Sequence, residues 1–342
     1  MYVVLALLLL GVLIIAHEGG HFWAARACGI GVQDFSMGMG PLIAKWQSKK
    51  GTQFSVRLLP IGGYCQFYGE DEEKNDPRAF NNQPVWKRAI TVFSGPLMNF
   101  VIAFLVIALF MSAIGVNAVV PKVAQVEETA QAAGLQIGDE ITAVNGETVA
   151  TSDAIAKAIS ASNGEAVTLT VKRDGQKVEL PDVQFDTWQD ENGQTHMTLG
   201  FTVYGIKKTP LNVLKEAWNS TLYYGRIVFT SLADLVRGRE SINNLSGPVG
   251  IVTAIGQAAS YGWQDLLELL ALITINLGVF NLLPFPALDG GKVVFLIIEG
   301  VTGHAVPEKL QGTLTIAAFA LLFGLMLFAT YNDIIRLVTG AM

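Results

Sequence analysis

The sequence is poor in cysteine, in histidine and in charge. Its 342 residues include only two cysteines, Cys28 and Cys65, which are too few for a disulfide framework and are not paired as in a zinc knuckle. Only 15% of the residues are charged and 51% are hydrophobic, so the chain is too apolar for a typical soluble protein. The net charge is −6, and no cluster of basic and aromatic residues indicates nucleic-acid binding. The composition is that of a membrane protein.

The run from Met1 to Ala25 is almost entirely apolar. It lacks the basic residues and the small-residue cleavage site of a signal peptide, so we expect it to be retained as a first membrane span. His17, Glu18 and His21 interrupt it. An ionisable group within a span is unfavourable by roughly 3 kcal/mol on insertion scales. Three such groups within five residues indicate that they share a binding partner, and a divalent cation is such a partner.

These three residues form the pattern His-Glu-x-x-His. On a helix, His17 and His21 are one turn apart and share a face, so both imidazoles can bind one Zn²⁺ while Glu18 stands beside the reacting water. This pattern is typical of zinc hydrolases. The alternative is that the histidines are hydrogen-bonded core residues without a ligand.

Zinc bound by two histidines needs a third protein ligand, and Asp289 is the best candidate. It follows an apolar run in the segment NLLPFPALDGG, where prolines and glycines force the backbone out of helix geometry. The remaining histidines, His196 and His304, lie in the soluble part and in a polar turn. Asp289 is also placed to cap a helix beginning near Gly291, which is the purely structural alternative.

Between the first two spans, residues 26–88 are β-prone and rich in glycine. Segments such as TQFSVRLLPIGGYCQFYG predict short strands and hairpins. Two interpretations stay open, a cytoplasmic sheet and a β-loop that re-enters the membrane where protein covers its backbone. The second span, 89–116, contains Ser94-Gly95-Pro96 and Asn99, and these small and polar residues favour close packing against the first span.

A small soluble domain is expected at 119–186. Asp174-Gly175 joins two alternating segments and predicts a β-hairpin. The string AAGLQIGDEITAVNG at 132–146 resembles the signature of PDZ domains, which bind peptides by adding a strand to a sheet edge. The alternative is a β domain with a structural role only.

We therefore predict an α-helical polytopic membrane protein with about four spans, re-entrant or membrane-associated β-hairpins and an inserted PDZ-like β-rich domain. The remaining segments are 187–265 with a connecting strand, a surface amphipathic helix at 211–237 and a linker, 266–313 with the third span, the Asp289 segment and a short helix at 293–298, and 314–342 with the fourth span and the C-terminus.

The pattern HExxH in a first span and NxxPxxxLDG after a third resembles the site-2 protease family of intramembrane zinc metalloproteases, and specifically its bacterial RseP-like group. The segments FNNQPVWKRA, SGPLMN, NNLSGPVGI and LPIGGY also resemble that group. The resemblance covers nearly the whole chain. A single PDZ-like string is similar to the single-PDZ branch of the group.

The resemblance implies roles for particular residues. His17, His21 and Asp289 are implied zinc ligands, with Glu18 as the base. Gly62 and Gly63 match a membrane-reentrant β-loop that pairs with the substrate, and Asn281 matches a position that helps to hold the substrate near the metal.

The implied function is hydrolysis of peptide bonds within single-span membrane substrates, such as trimmed anti-sigma factors or remnant signal peptides, in regulated intramembrane proteolysis. The expected cofactor is Zn²⁺, and the expected partners are these substrates and the lipid bilayer, with no nucleic acid. Two alternatives are a zinc peptidase that acts on soluble peptides delivered by the PDZ-like domain and a non-catalytic scaffold that retains the zinc fold.

Basic residues predict the orientation in the cell membrane. They are concentrated between the first two spans: Arg26, Lys45, Lys49, Lys50, Lys87 and Arg88. The positive-inside rule places this segment in the cytoplasm, so the zinc site is expected toward the cytoplasmic side and the PDZ-like domain outside.

Overall fold

The computed structural model describes residues 2–70, 72, 74–114, 118–149, 151–162, 164–189, 195–206, 209–239 and 241–339. The chain divides into two compact units, one of residues 1–106 and 225–342 and one of residues 107–224. Among the described residues, four helices are long and apolar enough to cross a membrane. The chain is therefore a membrane protein, as its composition indicated.

The four candidate spans are longer than the apolar runs predicted. They are α1 (Tyr2–Cys28), α2 (Val85–Ile114), α7 (Trp263–Leu282) and α9 (Glu308–Thr339). The predicted end of the second span, residues 115 and 116, lies outside the described residues. Because polar flanking residues continue the helical hydrogen bonding beyond the apolar core, hydropathy underestimates helix length.

Two long strands, β1 (Val32–Gln47) and β2 (Gln53–Phe67), connect α1 and α2 as an antiparallel hairpin that folds back on itself. Residues 34–37 lie between residues 63–66 on one side and residues 53–56 on the other. The fold-back bends the strands at Gly38 and Gly62, whose φ angles are +89° and +82°. The prediction of short strands was wrong, because these glycines bend two long strands instead of ending them.

Three further helices are α5 (Pro210–Val236), α6 (Pro248–Tyr261) and α8 (Asp289–Thr302). The boundary between the two units falls within α5, and α6 and α8 belong to the first unit. The amphipathic helix predicted at 211–237 corresponds to α5, which is not among the four candidate spans. The linker prediction missed α6, and the short helix predicted at 293–298 is the middle of α8. A 3₁₀ turn, Ile242–Asn244, precedes α6.

Two long-range polar contacts hold the helices of the first unit. The backbone N–H of Gly250, in the first turn of α6, donates to the fully buried carboxylate of Asp333 in α9 at 2.8 Å. Arg88 in α2 forms an ion pair with Glu299 in α8. The apolar core beside the hairpin comprises Ala25, Ile30, Val32, Phe67, Phe80, Val92 and Leu296.

The second unit contains a β-rich domain. Its strands are β3 (Ala118–Val126), β4 (Glu140–Val144), β5 (Glu147–Thr148), β6 (Val167–Arg173), β7 (Gln176–Val183), β8 (Asp186–Gln189), β9 (Thr195–Thr198) and β10 (Phe201–Ile206), with helices α3 (Glu128–Ala132) and α4 (Ser152–Ser160). The main sheet has the order β10-β3-β4-β6-β7, β5 pairs with β4, and β8 pairs with β9. Buried residues between Val123 and Phe185 form its core. The predicted hairpin at Asp174-Gly175 joins β6 and β7 and is confirmed.

Candidate metal centre

Helix α1 places its three ionisable residues at one site. His17 and His21 are buried, and their rings meet edge to face with centroids 4.9 Å apart. Glu18 lines the same cavity as both histidines. The sequence keeps this segment helical because apolar residues with good helix propensity surround the motif.

Asp289 reaches the site from the break between α7 and α8. The chain turns sharply there, and a Cβ on Gly290 or Gly291 would come within 2.2 Å of the carbonyl oxygen of Leu283 or Phe285. Both glycines are therefore needed for the turn that presents Asp289. Leu288, and not Asp289, occupies the N-cap position of α8. Asp289 is therefore not the N-cap residue that the structural alternative predicted.

The three side chains converge on a single point. The Asp289 Oδ2 atom lies 3.1 Å from His17 Nε2 and 3.2 Å from His21 Nε2. Ligand atoms about 2.0–2.1 Å from a tetrahedral zinc ion lie roughly 3.3 Å apart. In addition, Asp289 Oδ2 is buried and has no hydrogen-bond partner. A buried, unpartnered carboxylate oxygen at this distance from two imidazole nitrogens is what a bound metal ion satisfies.

Helix α2 places a polar group next to the Nδ1 atom of each histidine. The Nδ1 atom of His21 lies 3.0 Å from the backbone oxygen of Thr91, and that of His17 lies 3.0 Å from the side-chain nitrogen of Asn99. A Cβ on Gly95 would come 2.1 Å from His21 Nε2. A glycine is therefore required where α2 passes the His21 ring. The predicted packing of this segment against the first span is confirmed.

A cavity of about 250 Å³ opens onto the three residues. Besides them and Glu18, its walls include Tyr64, Cys65, Asn281 and Lys292. The side-chain nitrogen of Asn281 donates to the carbonyl of Leu277 at 3.0 Å within its own helix. The cavity is large enough to hold water molecules beside Asp289.

The predicted substrate-binding glycines lie at different distances from the metal centre. A Cβ on Gly63 would come 3.4 Å from Glu18 Cγ, so the β2 backbone passes directly beside Glu18. Gly62 instead packs against the side chain of Met39. Within the described residues, residues 63–66 pair with a strand on one side only, so the strand beside Glu18 is an edge strand.

A polar network holds that edge strand in place. The hydroxyl of Tyr64 donates to Asp34 Oδ2 at 3.0 Å and accepts from Arg57 Nη2 at 2.9 Å. Arg57 also donates to Ser36 Oγ at 3.1 Å and to the carbonyl of Gly40 at 2.9 Å. One guanidinium thus connects the bend in β1 to the strand beside Glu18.

Sequence reasoning did not assign a role to Tyr64 or Lys292, both of which line the cavity. Lys292 Nζ lies 2.8 Å from Glu70 Oε1, so it joins α8 to the end of the hairpin. The sequence did offer one indication of a role for Lys292, because this basic residue follows Asp289 by three positions on the same helix. Of the other histidines, His304 is exposed in a turn, and the side chain of His196 lies outside the described residues.

Comparisons with known proteins agree with this chemistry. The family model of Peptidase family M50 matches residues 5–325. A protein of Agrobacterium fabrum named "Putative zinc metalloprotease" is 31% identical over 98% of this chain and 96% of its own length. A Clostridium acetobutylicum protein with the same designation is 35% identical over 97% of each chain. The "Regulator of sigma-W protease RasP" of Bacillus subtilis is 28% identical over 98% of each chain.

Proposed function

The chain belongs to peptidase family M50, and on that premise we propose that it is an intramembrane zinc metalloprotease whose metal is held by His17, His21 and Asp289. The observation that carries the proposal is the buried Asp289 Oδ2 atom, which lies within 3.2 Å of both imidazole Nε2 atoms and has no hydrogen-bond partner. Two histidines and a carboxylate are a common ligand set of catalytic zinc.

Glu18 is the proposed general base. It shares the cavity with the three ligands. When bound, zinc supplies Lewis acidity that polarises a peptide carbonyl and acidifies water. Glu18 accepts a proton from the attacking water and passes it to the amine nitrogen that leaves when the C–N bond breaks.

The edge strand beside Glu18 is the proposed binding surface for the substrate backbone. A transmembrane helix satisfies its own hydrogen bonds, so opening one turn within the membrane leaves groups that each cost several kcal/mol if unpaired. Within the described residues, Gly63, Tyr64 and Cys65 have a strand neighbour on one side only, and they lie next to the catalytic carboxylate. An unwound substrate segment can add to this edge as a further strand, and Asn281, which lines the same cavity, is proposed to help hold it.

Single-span membrane proteins are the proposed substrates, of the anti-sigma factor or remnant signal-peptide type. The name of the relative in Bacillus subtilis, "Regulator of sigma-W protease RasP", supports this class. We propose that the domain at 119–186 is PDZ-like, lies outside the cytoplasm and selects substrates. In support, its signature string at 132–146 contains the turns around Gly134 and Gly138, both with positive φ, and the whole of β4.

A reporter series tests this function. The purified enzyme is given single-span substrates embedded in bilayers that differ only in helix-weakening residues near the cleavage site, and the same sequences as soluble peptides. Each glycine in place of alanine weakens a helix by about 1 kcal/mol, so we expect about fivefold faster cleavage per glycine and no cleavage of the soluble peptides. Glu18→Gln serves as the inactive control.

Equal turnover of soluble and embedded sequences, with rates that ignore helix content, would instead support the soluble-peptide peptidase. Absence of cleavage in every substrate by zinc-loaded enzyme would favour the non-catalytic scaffold.

A further inference from the structure

His21 shows how a histidine of this site is oriented. Its Nδ1 atom faces the backbone oxygen of Thr91 at 3.0 Å, and a carbonyl oxygen only accepts hydrogen bonds. The proton of the neutral ring is therefore on Nδ1, and the lone pair of Nε2 points to the position shared with Asp289 Oδ2, 3.2 Å away. The Thr91 carbonyl fixes both the tautomer and the direction of the ring.

His17 has the same arrangement with a different partner. Its Nε2 atom lies 3.1 Å from Asp289 Oδ2, and its Nδ1 atom faces the side-chain amide of Asn99. Asn99 is fully buried, and the amide nitrogen is the atom 3.0 Å from His17 Nδ1, while Asn99 Oδ1 has no partner. If His17 gives its Nε2 lone pair to a metal, Nδ1 carries the proton, and two donors then face each other.

Turning the amide by 180° about its last rotatable bond removes this conflict. The oxygen then faces the His17 Nδ1–H, and no backbone atom moves. In the present orientation the amide oxygen has no hydrogen-bond partner, so turning the amide breaks no contact of that oxygen. A bound metal favours the turned orientation, because only the oxygen can accept from a ring whose other nitrogen is a ligand.

We propose that Asn99 is a positioning residue for the metal centre and acts through its side-chain oxygen, which accepts a hydrogen bond from His17 Nδ1–H. This inference rests on the proposed zinc site and adds a fourth residue that determines its geometry. Asn99 thus does for His17 what the Thr91 carbonyl does for His21.

Helix α7 holds Asn99 in position. The hydroxyl of Thr274 donates to the backbone oxygen of Asn99 at 3.3 Å, and Thr274 is fully buried. A Cβ on Gly278 would come 3.2 Å from the Cβ of Asn99, so the two helices touch at this point. Because α7 also leads to Asp289, a single helix contact relates the His17 ring to the carboxylate ligand.

Two substitutions test the amide oxygen and the amide nitrogen of Asn99 separately. Asn99→Asp keeps an acceptor and removes the donor, whereas Asn99→Leu keeps the approximate volume and removes both. We expect Asn99→Leu to lose zinc to a competing chelator with an affinity about 10- to 100-fold weaker, as is typical of lost outer-shell partners. Asn99→Asp should hold zinc at least as tightly as the wild type. Asn332→Leu, the same substitution in α9 and outside the residues that line the cavity, is the matched control and should keep a zinc affinity within a few fold of the wild type.

The measurement is chelator competition for Zn²⁺ on the full-length detergent-purified chain, with the visible spectrum of the Co²⁺-substituted protein as a second readout of ligand geometry. A spectrum shifted in Asn99→Leu and unshifted in Asn99→Asp supports the proposal. Zinc binding by Asn99→Asp as weak as that of Asn99→Leu would overturn it, and so would wild-type affinity in Asn99→Leu. His17→Ala shows which proposal fails. If His17→Ala binds zinc like the wild type, the proposed metal site itself is wrong. If His17→Ala loses zinc and Asn99→Leu does not, only the role of Asn99 is wrong.

Discussion

Close contact between α1 and α2 depends on two glycines. A Cβ on Gly20 would come 2.3 Å from the backbone oxygen of Ser94, and one on Gly95 would come 2.1 Å from His21 Nε2. Small residues at such positions let membrane helices approach closely and bring the polar groups of one helix to the other. Here the approach brings Thr91 and Asn99 within hydrogen-bond distance of the histidines.

Gly95→Ala should therefore displace His21 and release zinc, with loss of cleavage, because the added methyl group overlaps the imidazole ring. Overpacking of this kind destabilises by about 1–3 kcal/mol or more. Gly324→Ala in α9 is the matched control, since a Cβ there has no atom within 4 Å. Zinc content of the two purified proteins decides the question, and full zinc in Gly95→Ala would show that α2 does not constrain His21.

The residues of the centre differ in how far the sequence could predict them. The spacing of His17 and His21 on a helix and the unfilled ligand position pointed to Asp289, and the structure brings these three together. For Asn99 the sequence predicted only that it packs against another helix or hydrogen-bonds across to it, because nothing in the local sequence shows which ring it faces. Such partners lie 70 to 82 residues from the histidine that they contact, and only the folded chain relates them.

At the scale of elements, glycine conformation decides the shape of the hairpin. Gly38 and Gly51 both have φ +89°, yet a Cβ on Gly38 would come 2.4 Å from the backbone oxygen of Leu59, whereas one on Gly51 meets no atom within 4 Å. Both alanine variants share the strain of a positive φ. The two variants differ in that the added methyl group of Gly38→Ala disturbs the fold-back of the hairpin and that of Gly51→Ala does not.

We expect Gly38→Ala to slow cleavage of membrane-embedded substrates several-fold and to keep its zinc, because the edge strand beside Glu18 moves while the ligands do not. Gly51→Ala should cleave at close to the wild-type rate. Cleavage rates measured alongside metal content test this, and equal rates for the two variants would contradict a role for the fold-back in substrate binding.

Elements were predictable where their signal is local. The four spans are long apolar runs, and the Asp174-Gly175 hairpin carries its own turn residues. In contrast, α6 begins within the turn-like segment NNLSGPVG, and its first turn is stabilised by Asp333, 83 residues away. The two hairpin strands were predicted as short because glycines that usually interrupt strands here bend them, and this depends on which segment each strand pairs with.

At the scale of the whole molecule, the β-rich domain has its own acid sensitivity. Burial raises the pKa of the Asp139 carboxyl, but hydrogen bonds from the Arg173 guanidinium at 2.7–2.8 Å and from the Gln136 backbone N–H at 2.9 Å outweigh it, so this pKa lies below its usual range. A lowered folded-state pKa stabilises the domain above the unfolded pKa of about 3.9 and ceases to do so as the pH falls through the folded value.

Asp139→Asn should destabilise the domain by roughly 1–3 kcal/mol at neutral pH and make its stability less dependent on pH below about 4. Hydrogen exchange of the domain within the full-length protein measures this. Glu179→Gln, at an exposed ion pair with Lys177, is the control and should change little. An unchanged acid transition in Asp139→Asn would show that the Arg173 contact is not the cause.

The orientation of the molecule is tested by labelling in intact cells. Lys50 lies in the exposed turn of the hairpin and Lys177 on an exposed part of β7. In a background without Cys28 and Cys65, we expect Lys177→Cys to react with an impermeant thiol reagent and Lys50→Cys to react only after permeabilisation, as the distribution of basic residues predicts. The opposite pattern would reverse the topology.

The most direct measurement is metal content together with cleavage for three full-length proteins purified in detergent: the wild type, Glu18→Gln and Asp289→Asn. If zinc is held by His17, His21 and Asp289 with Glu18 as the base, the wild type holds one Zn²⁺ per chain, and Glu18→Gln keeps it while cleavage falls by at least about 10²-fold. Asp289→Asn loses metal and cleavage together. A normal zinc content with normal turnover in Asp289→Asn would contradict the proposed centre.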